Sequence, residues 1–248
     1  MSKLGVFEVS VRYGKVPALN GVSFSVAEGE RVFISGPNGA GKSSLLGAIS
    51  GAVATSHGRI EMDGDILTGQ PPEAIARLGL SMVPEGREIF GGLTVEENLR
   101  VGTGLRRDRA AVRSDMGGIY DAFPILGERR HAAAGALSGG QQQMLAIGRA
   151  LMTNPKLMMV DEPSLGLAPK VVDQVYDKLI SLQEERGLTL LIVEQSSVRA
   201  ARVGGRLILM RGGVIVGEGD AADFGDQAAQ AEAYFGKSGA ARAAEAEA

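Results

Sequence analysis

The stretch GPNGAGKSS, residues 36–44, constrains this chain more than any other. It matches the pattern G-x-x-x-x-G-K-[ST]. It follows the apolar run RVFIS (31–35) and leads into KSSLLGAISG (42–51), which reads as a helix. A strand, a glycine-rich turn and a helix in that order make a phosphate cradle. Backbone N–H groups, here of residues 38–44, curl around phosphate oxygens, and the helix N-terminus adds partial positive charge. Gly36, Pro37, Asn38, Gly39, Ala40, Gly41, Lys42, Ser43 and Ser44 are the nucleotide-binding residues on this reading. Lys42 reaches the β- and γ-phosphates, and the Ser43 hydroxyl holds Mg²⁺. The chain has 36 glycines, and their position rather than their number carries this argument.

The remaining pattern supplies a frame for such a loop. GVFEVSVRYG (5–14), NGVSFSVAEGE (20–30) and GRIEMDG (58–64) read as strands, and the alternation in FEVSVRY suits a half-exposed antiparallel one. RVFIS is continuously apolar, as buried parallel strands are. Residues 71–153 are mostly helical. Thr94 caps a helix in LTVEENLRVG (93–102), with Glu97 completing a capping box. In SGGQQQMLAIGRALM (138–152), Met144, Leu145, Ile147 and Leu151 recur at helical spacing.

KLMMVDEP (156–163) is a strand stopped by Pro163, and KVVDQVYDKLISLQEER (170–186) a helix with Val171, Val172, Val175, Leu179 and Leu182 on one face. LTLLIV (188–193) is a strand, a helix starts at Ser197, and RLILMR (206–211) and VIVGEG (214–219) are the last strands. Alternating strands and helices imply a mainly parallel sheet with helices on its faces. The tail GAARAAEAEA (239–248) is low-complexity.

Two further stretches carry chemistry. In LMMVDEP, Asp161 ends a buried strand, at the sheet edge where α/β proteins bind ligands, and reaches Mg²⁺. Glu162 should diverge from Asp161 along a strand. Once the strand has ended it is free to turn toward the γ-phosphate and polarise a water. In LSGGQ, Leu137, Ser138, Gly139, Gly140 and Gln141 place a serine and two glycines at a helix start, a second anion cradle. Two cradles in one chain suggest one nucleotide shared between two subunits.

The order of GPNGAGKSS, LSGGQ and VDEP closely resembles the ABC-type ATPases. The resemblance implies a P-loop NTPase with a mainly parallel core sheet, an N-terminal antiparallel β subdomain and a helical signature subdomain. One domain then spans residues 1–238, with the helical part near 86–153. The resemblance implies a head-to-tail dimer with ATP held between Lys42's loop and the signature, residues 137–141, of the second chain. It implies an aromatic stacked on adenine, a place that Tyr13 fits. Catalysis falls to Glu162, Lys42 and Gln195, and metal binding to Ser43, Asp161 and Glu85.

The departures narrow the resemblance. MVPEGREIF (82–90) has Glu85 where most members carry glutamine, SLGLAP (164–169) lacks their aspartate, and LLIVEQ has Gln195 where most carry histidine. His57 and His131 lie too early to replace it. VPEGR, DEPSLGLAP and VEQ, with AYFG (233–236), resemble the ATPase subunits of branched-chain amino-acid importers, with urea and short-amide importers as close cousins. The resemblance implies a partner ATPase chain, membrane permease subunits at the cytoplasmic face of the cell membrane, and indirectly an extracytoplasmic solute-binding protein. Coupling to the permease passes through the surface near Glu85 and residues 86–135.

Composition excludes other classes. There is no cysteine, hence no disulfide and no thiol nucleophile. No segment approaches the ~18 apolar residues of a membrane span, and MSKLGVFEVS lacks the apolar core of a signal peptide. A net charge of −3 gives no sign of a nucleic-acid partner. A soluble ABC ATPase acting on DNA or the ribosome remains an alternative, without the coiled-coil insertions or second ATPase domain of such proteins. A small-molecule P-loop kinase leaves LSGGQ unexplained.

Overall fold

In the structure, a computed structural model that describes residues 2–195 and 197–224, the N-terminal alternation produces two long antiparallel strands. These are β1 (Ser2–Tyr13) and β2 (Val16–Ala27), each longer than its apolar pattern suggests. Leu4, Val6, Val9 and Val11 of β1 are buried. The inward parity changes between Val6 and Val9 because the register shifts there, with Glu8 at φ 50°. The displaced Glu8 N–H donates to Ser23 Oγ at 2.8 Å, so the bulge leaves no orphan donor. Exposed Phe7 carries the Arg59 guanidinium 4.9 Å above its ring.

The chain forms two compact units, Met1–Gly69 with Leu191–Ala248, and Gln70–Leu190. The tail at 239–248 and AYFG lie outside the described residues. The first unit continues with buried β3 (Arg31–Ser35), α1 (Lys42–Ile49), β4 (His57–Met62) and β5 (Asp65–Ile66). Its antiparallel sheet has the order β2-β1-β4-β5.

The second unit holds α2 (Pro72–Arg77), β6 (Leu80–Val83), α3 (Val95–Val101), α4 (Arg109–Ala122), α5 (Pro124–Glu128), α6 (Gly139–Leu151), β7 (Leu157–Asp161) and α7 (Pro169–Arg186). Thr94 and Glu97 form the expected capping box on α3. β6 and β7 are parallel, and every residue of β7 is buried, as a central parallel strand requires. Pro169 opens α7 and Gly187 closes it at φ 63°. The buried face of α7 is Val172, Val175, Tyr176, Leu179 and Leu182.

β8 (Thr189–Glu194) begins in the second unit, where the Thr189 N–H donates to the Lys156 carbonyl at 3.2 Å. It ends in the first, on the opposite side of β3 from β9. α8 (Ser197–Val203), β9 (Arg206–Arg211) and β10 (Val214–Asp220) complete the described chain, with β9 parallel to β3 and antiparallel to β10. Among the described residues no helix is long and apolar enough to cross a membrane.

Candidate nucleotide-binding site

The first unit carries the phosphate loop, Tyr13 and Gln195. β3 delivers Gly36, where a Cβ would stand 2.2 Å from the Met210 carbonyl oxygen, so no larger residue fits. Gly41 turns into α1 at φ 101°, and no side chain caps that helix. The first N–H groups of α1 are therefore available to an anion. Ala40 is held from below, its carbonyl accepting from the Gly213 N–H at 3.0 Å. Lys42 is buried, with Nζ 2.7 Å from the Gly36 carbonyl and 3.4 Å from that of Pro37. This keeps the ammonium at the loop it is expected to serve. Uncapped N–H groups, a buried ammonium and the exposed Ser43 hydroxyl form a donor set that fits a nucleoside triphosphate.

Tyr13 lies at the end of β1 with 55% of its surface exposed and its hydroxyl 3.4 Å from Ser44 Oγ. An exposed ring tied to the phosphate loop suits base stacking. β8 ends on buried Glu194, and exposed Gln195 follows. The Gln195 carbonyl accepts from Ser35 Oγ at 3.2 Å, which ties it to the strand that launches the loop.

The second unit carries the carboxylates. Asp161 is buried at the end of β7, and half-buried Glu162 follows at φ 46°. The left-handed backbone removes Glu162 from strand alternation, at a cost on the order of 1–3 kcal/mol. Strain of this kind is held where geometry matters. Exposed Glu85 sits in the loop after β6.

LSGGQ opens α6. Ser138 Oγ accepts from the Gln141 N–H at 3.4 Å, and Gln141 Oε1 accepts from the Ser138 N–H at 2.9 Å, a full capping box. As an acceptor Ser138 spends a lone pair only, so its hydroxyl proton stays available to a phosphate oxygen. The two glycines differ. A Cβ on Gly139 would meet the Arg87 guanidinium first, at 3.3 Å, whereas one on Gly140 would stand 2.2 Å from Val171 Cγ1.

Sequence reasoning missed the residues that hold the 85–90 loop. Gly86, Arg87 and Glu88 all have positive φ, at 80°, 71° and 48°. Arg149 on α6 donates to the Glu88 carbonyl at 2.6 Å and the Arg87 carbonyl at 3.3 Å, and lies 5.3 Å from the Phe90 ring. Burial pulls the Arg149 guanidinium below its ordinary range, and Glu88 opposes the shift. Asn98 is fully buried, accepts from the Phe90 N–H at 2.9 Å and donates to the Phe90 carbonyl at 3.0 Å. A polar residue between Val95 and Leu99 on the buried face of α3 was the available signal for Asn98. Arg87 and Arg149 left none.

Residues 19–165 match the model of the family described as ABC transporter. The chain is 45% identical over 209 residues to the high-affinity branched-chain amino acid transport ATP-binding protein BraG of Pseudomonas aeruginosa, covering 84% of this chain and 89% of that one. It is 33% identical to the probable branched-chain amino acid transport ATP-binding protein LivF of Archaeoglobus fulgidus, over 88% and 92% of the two chains. Among solved structures, the ADP conformation of MJ1267, an ATP-binding cassette of an ABC transporter, matches 95% of this chain and 99% of its own, with a TM-score of 0.83 at 29% identity. The MJ0796 cassette, bound to ADP and Pi in a dimeric post-hydrolysis state, matches with a TM-score of 0.76 at 25% identity, over 88% and 98%.

Proposed function

The chain belongs to the ABC transporter family and is an ATP-binding-cassette ATPase, and from that premise we propose that it powers an importer of branched-chain amino acids. The observation that carries the proposal is the 45% identity to a branched-chain amino acid transport ATP-binding protein. VPEGR, DEPSLGLAP and VEQ support it by their resemblance to that subfamily.

In this reading the chain pairs with a second ABC ATPase chain beneath permease subunits, peripheral to the cytoplasmic face of the membrane. An extracytoplasmic solute-binding protein feeds the permease. Lys42 and the N–H groups at the start of α1 bind phosphate oxygens, and Tyr13 stacks on the base. Bound Mg²⁺ would neutralise phosphate charge, and Ser43, Asp161 and Glu85 would hold it. Glu162 takes a proton from the attacking water, and Gln195 donates its amide N–H to a phosphate oxygen. Ser138 and the N–H groups of Gly139 and Gly140 contact nucleotide held by the second chain. These are fixed donors aimed at developing charge, the largest usual contribution to phosphoryl transfer.

The test is reconstitution with the co-purified permease and binding protein, with ATPase measured against leucine, isoleucine, valine and urea. Stimulation by the three branched amino acids supports the proposal. Stimulation by urea alone, or no permease partner at all, overturns it.

A further inference from the structure

Arg87 meets three parts of the second unit at once. Its Nη1 donates to Gln142 Oε1 at 3.4 Å, and its Nη2 donates to the Leu165 carbonyl at 3.4 Å. The same guanidinium lies 3.3 Å from the place of a Cβ on Gly139. Gln142 passes the contact on, since its Nε2 donates to the Leu137 carbonyl at 3.2 Å. One side chain thus joins the loop that carries Glu85 to the first residue of LSGGQ, to the start of α6 and to the loop after Glu162.

The backbone that aims this side chain is itself held by α6. Arg149 grips the carbonyls of both Arg87 and Glu88, so the left-handed turn at 86–88 is fastened to the helix whose N-terminus the guanidinium touches. The two contacts diverge, one to a side-chain amide and one to a backbone carbonyl. A planar fork holds its divergent N–H groups in fixed directions; an ammonium on a flexible stem does not. Each contact is long, so the arrangement transmits position without locking it.

We propose that Arg87 is a positioning residue for the signature: it sets Leu137–Gln141 and the loop at 163–167 in register with the Glu85 loop, so that displacement of that loop moves both. The inference rests on the reading that Leu137–Gln141 close over nucleotide held by a second ATPase chain.

The test compares the full-length wild type with Arg87→Ala, Arg87→Lys, Gln142→Ala and the Arg87→Ala/Gln142→Ala pair in steady-state ATPase, with melting curves to establish folding. Arg87→Ala lowers kcat about tenfold, the scale expected within one contact network, and leaves KM for ATP unchanged. Arg87→Lys does not restore kcat. Gln142→Ala leaves the arginine in place and lowers kcat in the same sense, so the test survives an Arg87 variant that fails to fold. The double variant is no worse than Arg87→Ala alone. Introduced beside Glu162→Gln, Arg87→Ala weakens ATP-dependent association of two chains while binding of a fluorescent ATP analogue to the monomer is unchanged. An unchanged kcat in Arg87→Ala, multiplicative losses in the pair, or a matching loss of monomer affinity overturns the proposal. If Glu162→Gln alone does not associate with ATP, the two-chain reading beneath the proposal is what fails.

Discussion

Gly140 lies in the first turn of α6, where a Cβ would stand 2.2 Å from Val171 Cγ1 of α7. At its neighbour Gly139 the nearest atoms, at 3.3 Å, belong to the flexible Arg87 guanidinium. One glycine of the pair therefore answers to packing inside the subunit, and the other leaves the helix start open. Gly140→Ala should cost about 1–3 kcal/mol of stability, the usual price of overpacking. Gly139→Ala should leave thermal stability nearly unchanged. Val171→Ala placed beside Gly140→Ala should recover much of the loss. Differential scanning calorimetry of the four proteins checks this, and equal melting of both alanine variants would refute it.

Glu162 is held at φ 46° directly after β7. As the general base it should be worth about 100-fold or more in turnover. Glu162→Gln is expected to bind ATP, associate and barely hydrolyse. Near-normal turnover in that variant would remove Glu162 from this role.

Gln195 is exposed, and its carbonyl is tied to Ser35 beneath the phosphate loop. An amide donates and accepts but does not titrate near neutral pH. The pH–rate profile should have no step from this position, and Gln195→His should introduce one near the ordinary histidine value of about 6.5. Gln195→Ala should lower ATPase; unchanged activity would reduce Gln195 to a solvated strand end.

Glu97 is held below the usual glutamate range, first by the Thr94 backbone N–H and then by the Thr94 hydroxyl. A depressed folded-state value contributes stability that is full above the unfolded value and lost as pH falls through the folded one. Glu97→Gln keeps a capping partner but does not titrate. The difference in Tm between wild type and this variant should be constant down to about pH 5 and move against wild type below about pH 4. A difference independent of pH would show that the charge on Glu97 contributes nothing.

Of the two capping boxes, the sequence reading named one. Thr94 and Glu97 showed the spacing and the apolar run that a helix start needs. Ser138 and Gln141 have the same spacing within LSGGQ but were read only as an anion cradle; the structure adds that the two cap each other. The helical spacing in α6 placed Leu145, Ile147 and Leu151 inside correctly. It did not reveal that Gln143 is buried while Met144 stays half-exposed, because neighbours from other elements decide which flank of an apolar stripe is covered.

Local pattern was enough for the strand–loop–helix around Lys42, the strand that ends at Asp161, the helix that opens on LSGGQ and the strand that stops just before Gln195. Each is a pattern of near neighbours, carried by the alternation of apolar residues, the conformational range of glycine and the satisfaction of local backbone groups. Packing between elements explains why Gly140 is small and what Arg87 touches, and the folded backbone shows how Glu162 leaves its strand. Arg87 reaches Gln142 across 55 positions and Leu165 across 78. Contacts at such separation depend on how whole elements pack, and no local pattern of residues encodes them.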